Sequence, residues 1–156
     1  TLHATGDPKS ASHPAAAIVP LGQGRIAATL FTAGQPYLKG RPELLRRFLN
    51  DLVRELFPRP LVEVKGSADV DVCVARNHGK LLVNLVNTAG PHQTQSIIET
   101  IPPVGPLDVT IRLRAKPVAV TREPGARPVA FDFHDGQVRL VVPKLEIHDI
   151  LVVETK

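Results

Sequence analysis

The feature that most constrains this chain is a change in apolar period at Phe57-Pro58-Arg59-Pro60. Before it, Leu44, Leu45, Phe48, Leu49, Leu52, Val53 and Leu56 form one stripe at helical spacing, with Arg46, Arg47, Asn50, Asp51, Arg54 and Glu55 opposite. Pro42 suits the first position of that helix, and Pro58 and Pro60 end it because proline has no amide to continue the ladder. After it, the period falls to two. A chain patterned this way cannot be one helical bundle or one uniform sheet.

The alternation after Pro60 predicts strands. Val62 and Val64 open the series, and Val70, Val72 and Val74 alternate with Asp69, Asp71 and Cys73 in a strand with one buried face. Asn77-His78-Gly79 turns the chain into a more deeply buried partner, Lys80–Asn87. A polar loop covers 88–96. Further short strands are expected at Ile97–Ile101, Leu107–Leu113, Val118–Thr121, Val129–Phe133, Gln137–Val142 and Ile147–Glu154. Asp135-Gly136 is a strong two-residue hairpin turn, and 124–128 makes another connection. About seven or eight strands separated by turns predict an antiparallel β-sandwich.

Ahead of the helix, Ala16–Val19 and Ile26–Phe31 are apolar runs joined by Gly22-Gln23-Gly24, a hairpin, followed by a loop holding Gly34, Pro36, Tyr37 and Gly40. Residues 1–14 are polar and aperiodic, a tail or long loop. The expected organisation is therefore a tail over 1–14, a hairpin–helix over 15–60 too small to bury a core alone, and a sandwich over 61–156. The fold class is mainly β with one α-helix.

The chemistry-bearing residues are scattered. A net charge of +4 permits nucleic-acid binding, but Lys and Arg do not cluster and stacking aromatics are few, so none is expected. The single cysteine, Cys73, excludes an intrachain disulfide and sits among valines, which predicts a buried or half-buried thiol rather than a nucleophile. The six His do not converge at ligand spacing, so no metal and no cofactor is expected. No apolar run reaches the roughly 20 residues that cross a bilayer. Asp69 and Asp71 share a strand face, as two glycosidase carboxylates would, but read as a solvated face. No G-x-S-x-G elbow is present. No catalytic residue is therefore assigned. The expected contacts with a partner are Tyr37, in a Gly/Pro-flanked loop, and Asn84, Arg112 and Arg114 on the strands and loops of the sandwich.

Several segments resemble one family setting. Gly22-Gln23-Gly24-Arg25-Ile26, Tyr37, the Leu44-Leu45 and Phe48-Leu49 helix, and Phe57-Pro58-Arg59-Pro60 resemble the end of the glutamine-amidotransferase-like trimerisation domain of large bacterial glycoside hydrolases related to family 42 β-galactosidases. The segments Asp69–Ala75, Leu82–Asn87, Ile101–Val104, Asp108–Arg112 and Val141–His148 are similar to their C-terminal β-domain. The resemblance implies catalytic carboxylates in a separate (β/α)8 barrel, so no family catalytic residue maps onto this chain. It implies a structural or assembly portion whose partners are the rest of the parent or another subunit. The alternative is a sandwich-type binding module for polysaccharide or protein, with no Trp to stack on a sugar face.

Overall fold

The computed structural model describes residues 14–40, 42–90 and 100–155. The chain divides into two compact units, Thr1–Arg59 and Pro60–Lys156.

In the first unit, β1 (Ala16–Leu21) and β2 (Gly24–Thr29) pair antiparallel across Gly22-Gln23. Helix α2 (Glu43–Leu56) starts at an extended Pro42 and closes where the Phe57 amide donates to Val53 O, just before Pro58. Glu43, in its first turn, accepts from Arg46 Nε at 2.8 Å and Arg47 Nε at 2.9 Å. The Phe31 and Phe48 rings, 5.6 Å apart, and a bond from Arg25 to Glu55 O tie the hairpin to α2. Contrary to the expected loop, Gly34–Gly40 forms a short helix, α1, giving two helices rather than one. The reason is positional: Gly34 and Gly40 sit at its ends, and Pro36 falls in the first turn, where its missing amide is not needed.

The second unit is a β-sandwich. One sheet has the order β3 (Val62–Lys65), β6 (Leu107–Arg112), β10 (Gln137–Val142), β9 (Asp132–His134). The other has the order β4 (Val70–Asn77), β5 (Lys80–Asn87), β11 (His148–Glu154), β7 (Ala119–Glu123), β8 (Arg127–Pro128). Every pairing is antiparallel. Leu81, Val83 and Leu85 of β5, Val120 of β7, and Leu151 and Val153 of β11 face Leu107, Val109, Ile111, Val138, Leu140 and Val142 of β6 and β10. All are nearly inaccessible to water, as alternation with a buried face requires.

Three strands differ from expectation. The Val129–Phe133 strand is replaced by the brief β8 and β9, with 129–131 crossing between the sheets. Most of the Ile97–Ile101 strand lies outside the described residues, and Ile101 itself is not in a strand. The third is β4: its valine face pairs in register with β5, but Val72 is 38% and Val74 43% exposed, because β4 is a sheet edge. Cys73, on that strand, is likewise exposed rather than buried. The 1–14 tail falls almost wholly outside the described residues.

Two glycines separate steric from conformational need. Gly66 has φ 114°, and a Cβ there would stand 2.2 Å from Pro106 O, whereas Gly79, with φ 78°, faces open space. Gly79→Ala should therefore cost about 1 kcal/mol for the left-handed backbone alone. Gly66→Ala should cost about 3 kcal/mol or more, since backbone must also move. Urea unfolding of the two variants checks this, and equal losses would contradict it.

Candidate functional site

The sandwich keeps a polar cluster at one end of its inner layer. Asn87 shares the inward register of Leu81, Val83 and Leu85, and Asp149 shares that of Leu151 and Val153. Both are buried, at 4% exposure. The Asn87 Nδ2 donates to Pro102 O at 2.9 Å and to Glu146 O at 2.7 Å, while its Oδ1 accepts the Ala89 amide at 2.9 Å. The Arg122 Nη2 donates to Lys144 O at 2.6 Å and lies 2.6 Å from Asp149 Oδ2. The guanidinium and carboxylate meet as an ion pair rather than an aligned hydrogen bond, and the buried Arg122 Nε has no hydrogen-bond partner among the described residues.

These groups share a target: the carbonyls of 144–146, in the crossover from β10 to β11. Leu145 of that crossover is fully buried and bridges to Val104 through reciprocal backbone bonds of 3.0 and 2.8 Å. The cluster fastens a connection that inserts Leu145 into the core while its neighbours stay exposed. Its geometry is structural.

Beside it opens a cleft of about 750 Å³, where the chain passes from β8 toward β9. Arg122, Arg127 and Arg139 line it together with Asp108, Asp132 and Phe131. Its size is that of a small-ligand site. The two carboxylates are exposed, whereas a glycosidase acid works from a desolvated setting. The arrangement can hydrogen-bond a polar ligand.

The residues expected to contact a partner do not come together. Tyr37 is half-buried on α1, and its amide donates to Ala33 O. Asn84 lies on the outer face of the five-stranded sheet, half-buried, with Nδ2 3.4 Å from Cys73 O on the neighbouring strand. It does not bond across the sandwich; Asn87 takes that inner position. Arg112 lies on the outer face of the other sheet, donating to Pro60 O at 2.6 Å and pairing with Glu63 at 3.3 Å. Arg114 is exposed in the β6–β7 connection. Asp69 and Asp71 are exposed on the β4 edge, away from the cleft lining. Among the described residues no three His, Cys, Asp or Glu gather to hold a metal ion, and no helix is long and apolar enough to cross a membrane. His134 pairs with its neighbour Asp135 at 2.8 Å, both well exposed.

Sequence reasoning missed Asp149, Arg122 and the inward role of Asn87. The signal was present: each occupies the inward register of an apolar strand.

Among solved structures, the chain is similar to alpha-L-fucosidase isoenzyme 2 from Paenibacillus thiaminolyticus, with a TM-score of 0.72 and 21% identity over 89% of this chain. The likeness is one of fold. It covers only 22% of that enzyme, so the chain spans about a fifth of its length. The covered share exceeds what Pro60–Lys156 alone could supply, so the likeness extends into the hairpin–helix unit. No protein-family model and no curated relative matches the sequence.

Three outcomes test the cluster and its neighbour. Asn87→Ala should cost about 2 kcal/mol, because the part-buried carbonyls of Pro102 and Glu146 lose their donor at once. Arg122→Met should cost about 3 kcal/mol by stranding Asp149, and adding Asp149→Leu should recover part of that loss. An additive double-mutant cycle would show that the two side chains do not act together. On the outer face, bonds first from Arg112 and then from Lys65 hold the Glu63 carboxyl below its ordinary range. A lowered folded value means the stabilisation is present above the unfolded value and is lost as pH falls through the folded one. Wild type and Glu63→Gln should therefore differ at neutral pH, by under about 1 kcal/mol for so exposed a pair, and converge in acid. Melting temperatures across pH read this directly.

Proposed function

We propose that the chain is a non-catalytic structural and assembly portion of a larger glycoside hydrolase, related to the family 42 β-galactosidase group, packing on the catalytic part or on another subunit. One observation carries the reading: the hairpin–helix unit leaves many of its large apolar side chains exposed, although Leu45, Phe48, Leu49 and Leu52 are partly or wholly covered. Leu21, Leu38 and Leu44 are 66%, 73% and 76% exposed, Val53 and Phe57 are exposed too, and Leu52 is the one buried hydrophobic residue among the described residues of that unit. On α2, Leu44 and Val53 flank a stripe whose middle is covered, and large apolar side chains left exposed in this number support a contact surface. The stripe of α2 fits the edge of an α/β domain, as the family resemblance implies, and the sandwich supplies a rigid base. The fold likeness to a much longer α-L-fucosidase supports the glycoside hydrolase setting.

A second reading, a sandwich-type binding module for polysaccharide, draws on the cleft with its arginines and aspartates. Two experiments separate them. The chain incubated with aryl-glycosides should release no chromophore above background; turnover abolished by Asp108→Asn or Asp132→Asn would refute the non-catalytic reading. In affinity gels cast with polysaccharides its migration should be unchanged, and retardation relieved by Arg127→Ala would favour the binding module.

A further inference from the structure

We infer that Asp135 is a site of spontaneous covalent modification, where the chain isomerises through a cyclic imide to an isoaspartyl linkage. The inference goes beyond the assembly reading and does not depend on it.

The chemistry needs a carboxyl, an unhindered amide on the next residue, and a backbone free to bring the two together. Of the eight aspartates, Asp135 alone precedes a glycine. The other seven precede proline, valine, leucine, isoleucine or phenylalanine, whose side chains crowd the amide or, for proline, replace it. The fold itself keeps glycine at 136, since a Cβ there would stand 3.1 Å from Leu113 O. The Gly136 amide donates no hydrogen bond among the described residues, and the Asp135 side chain is 81% exposed.

Asp135 and Gly136 have φ of 50° and 70°, the two-residue turn of a tight hairpin. In such a turn ψ of the first residue is about +30°, which holds the Gly136 nitrogen away from the Asp135 Cβ. Ring closure therefore waits for ψ of Asp135 to swing. The hairpin resists that weakly, because β9 has three residues, lies at the edge of its sheet and pairs with β10 only over 132–134. The swing also leaves His134 in place. Its Nδ1 lies 2.8 Å from Asp135 Oδ2, and the backbone torsions between the two side chains precede the one that turns. Gly136 N then bonds to Cγ of the neutral carboxyl, and the Cγ–Oδ2 bond breaks. The hydroxyl takes a proton from the protonated imidazole at Nδ1 and leaves as water, while the amide proton passes through solvent to restore the imidazolium. Water adds back to either carbonyl of the imide, and opening at the main-chain carbonyl routes the backbone through Cγ, one methylene longer. A two-residue turn cannot absorb that length, so β9 loosens from β10 and Asp132 parts from Arg139 on the cleft wall.

The test uses the full chain, held for weeks in warm, mildly acidic buffer and then digested with trypsin. The peptide over 123–139 carries Asp132 and Asp135 together, because Pro128 shields Arg127 from cleavage. Isoaspartate, read by isoaspartyl methyltransferase labelling and fragment mass spectra, should accumulate at 135 roughly ten-fold or more faster than at 132. His134→Gln should slow accumulation at 135 by about ten-fold and leave the other aspartates unchanged. A purely structural part for His134 would instead loosen the turn and speed the reaction, so the direction of the change separates the two. Asp135 isomerising no faster than Asp132 overturns the inference. An unchanged or raised rate in His134→Gln overturns the role given to the imidazole.

Discussion

A chain that crosses between two packed sheets must bury backbone, and buried carbonyls need donors. Here the constraint falls on Leu145, the buried residue of the 143–147 connection, whose neighbours are exposed. Leu145 enters the core completely, and the carbonyls beside it are met by Asn87 and Arg122, with Asp149 neutralising the arginine. Everything on either side follows. β10 and β11 belong to different sheets, each forms the centre of its own sheet, and the crossover between them sets how the two apolar faces meet. The polar residues that a search for chemistry would select are occupied in holding this connection.

Outside that point the two units contrast sharply. The sandwich has an almost dry core of valines and leucines from both sheets. Among its described residues, the hairpin–helix has an aromatic contact, a tie from Arg25, and one buried leucine. Burying an apolar side chain contributes about 1.5–3 kcal/mol, and backbone ordering costs about 1–2 kcal/mol per residue. With one buried leucine among its described residues, the hairpin–helix is poorly placed to offset its own ordering. The exposed Arg127, Arg139, Asp108 and Asp132 of the cleft do not change this balance, because they are solvated and spread over several strands.

Much of the sandwich was legible in the sequence. The turns at Asn77-His78-Gly79 and Asp135-Gly136 located β5 and β10, because an apolar run that follows a two-residue turn signal returns as the paired strand. Edge and loop were less legible. Val70, Val72 and Val74 read as a buried face, yet whether alternation meets a second sheet depends on strand order, which the pattern does not encode. Gly34 and Gly40 masked a helix because glycine favours loops in general and helix ends in particular. For the candidate site, Asn84 was singled out and Asn87 was not, although their odd separation puts them on opposite faces of the strand. The pairing of Arg122 with Asp149 was not legible because it spans a sequence separation that no local pattern crosses.

Amide hydrogen exchange of the full chain measures this asymmetry most directly. Amides of β5, β6, β10 and β11 should exchange only through global unfolding of the sandwich, whereas those of β1, β2 and α2 should exchange orders of magnitude faster and slow when the covering surface of a parent or partner is supplied. Equal protection of both units in the chain alone would contradict the account, since it would mean the hairpin–helix needs nothing to cover it.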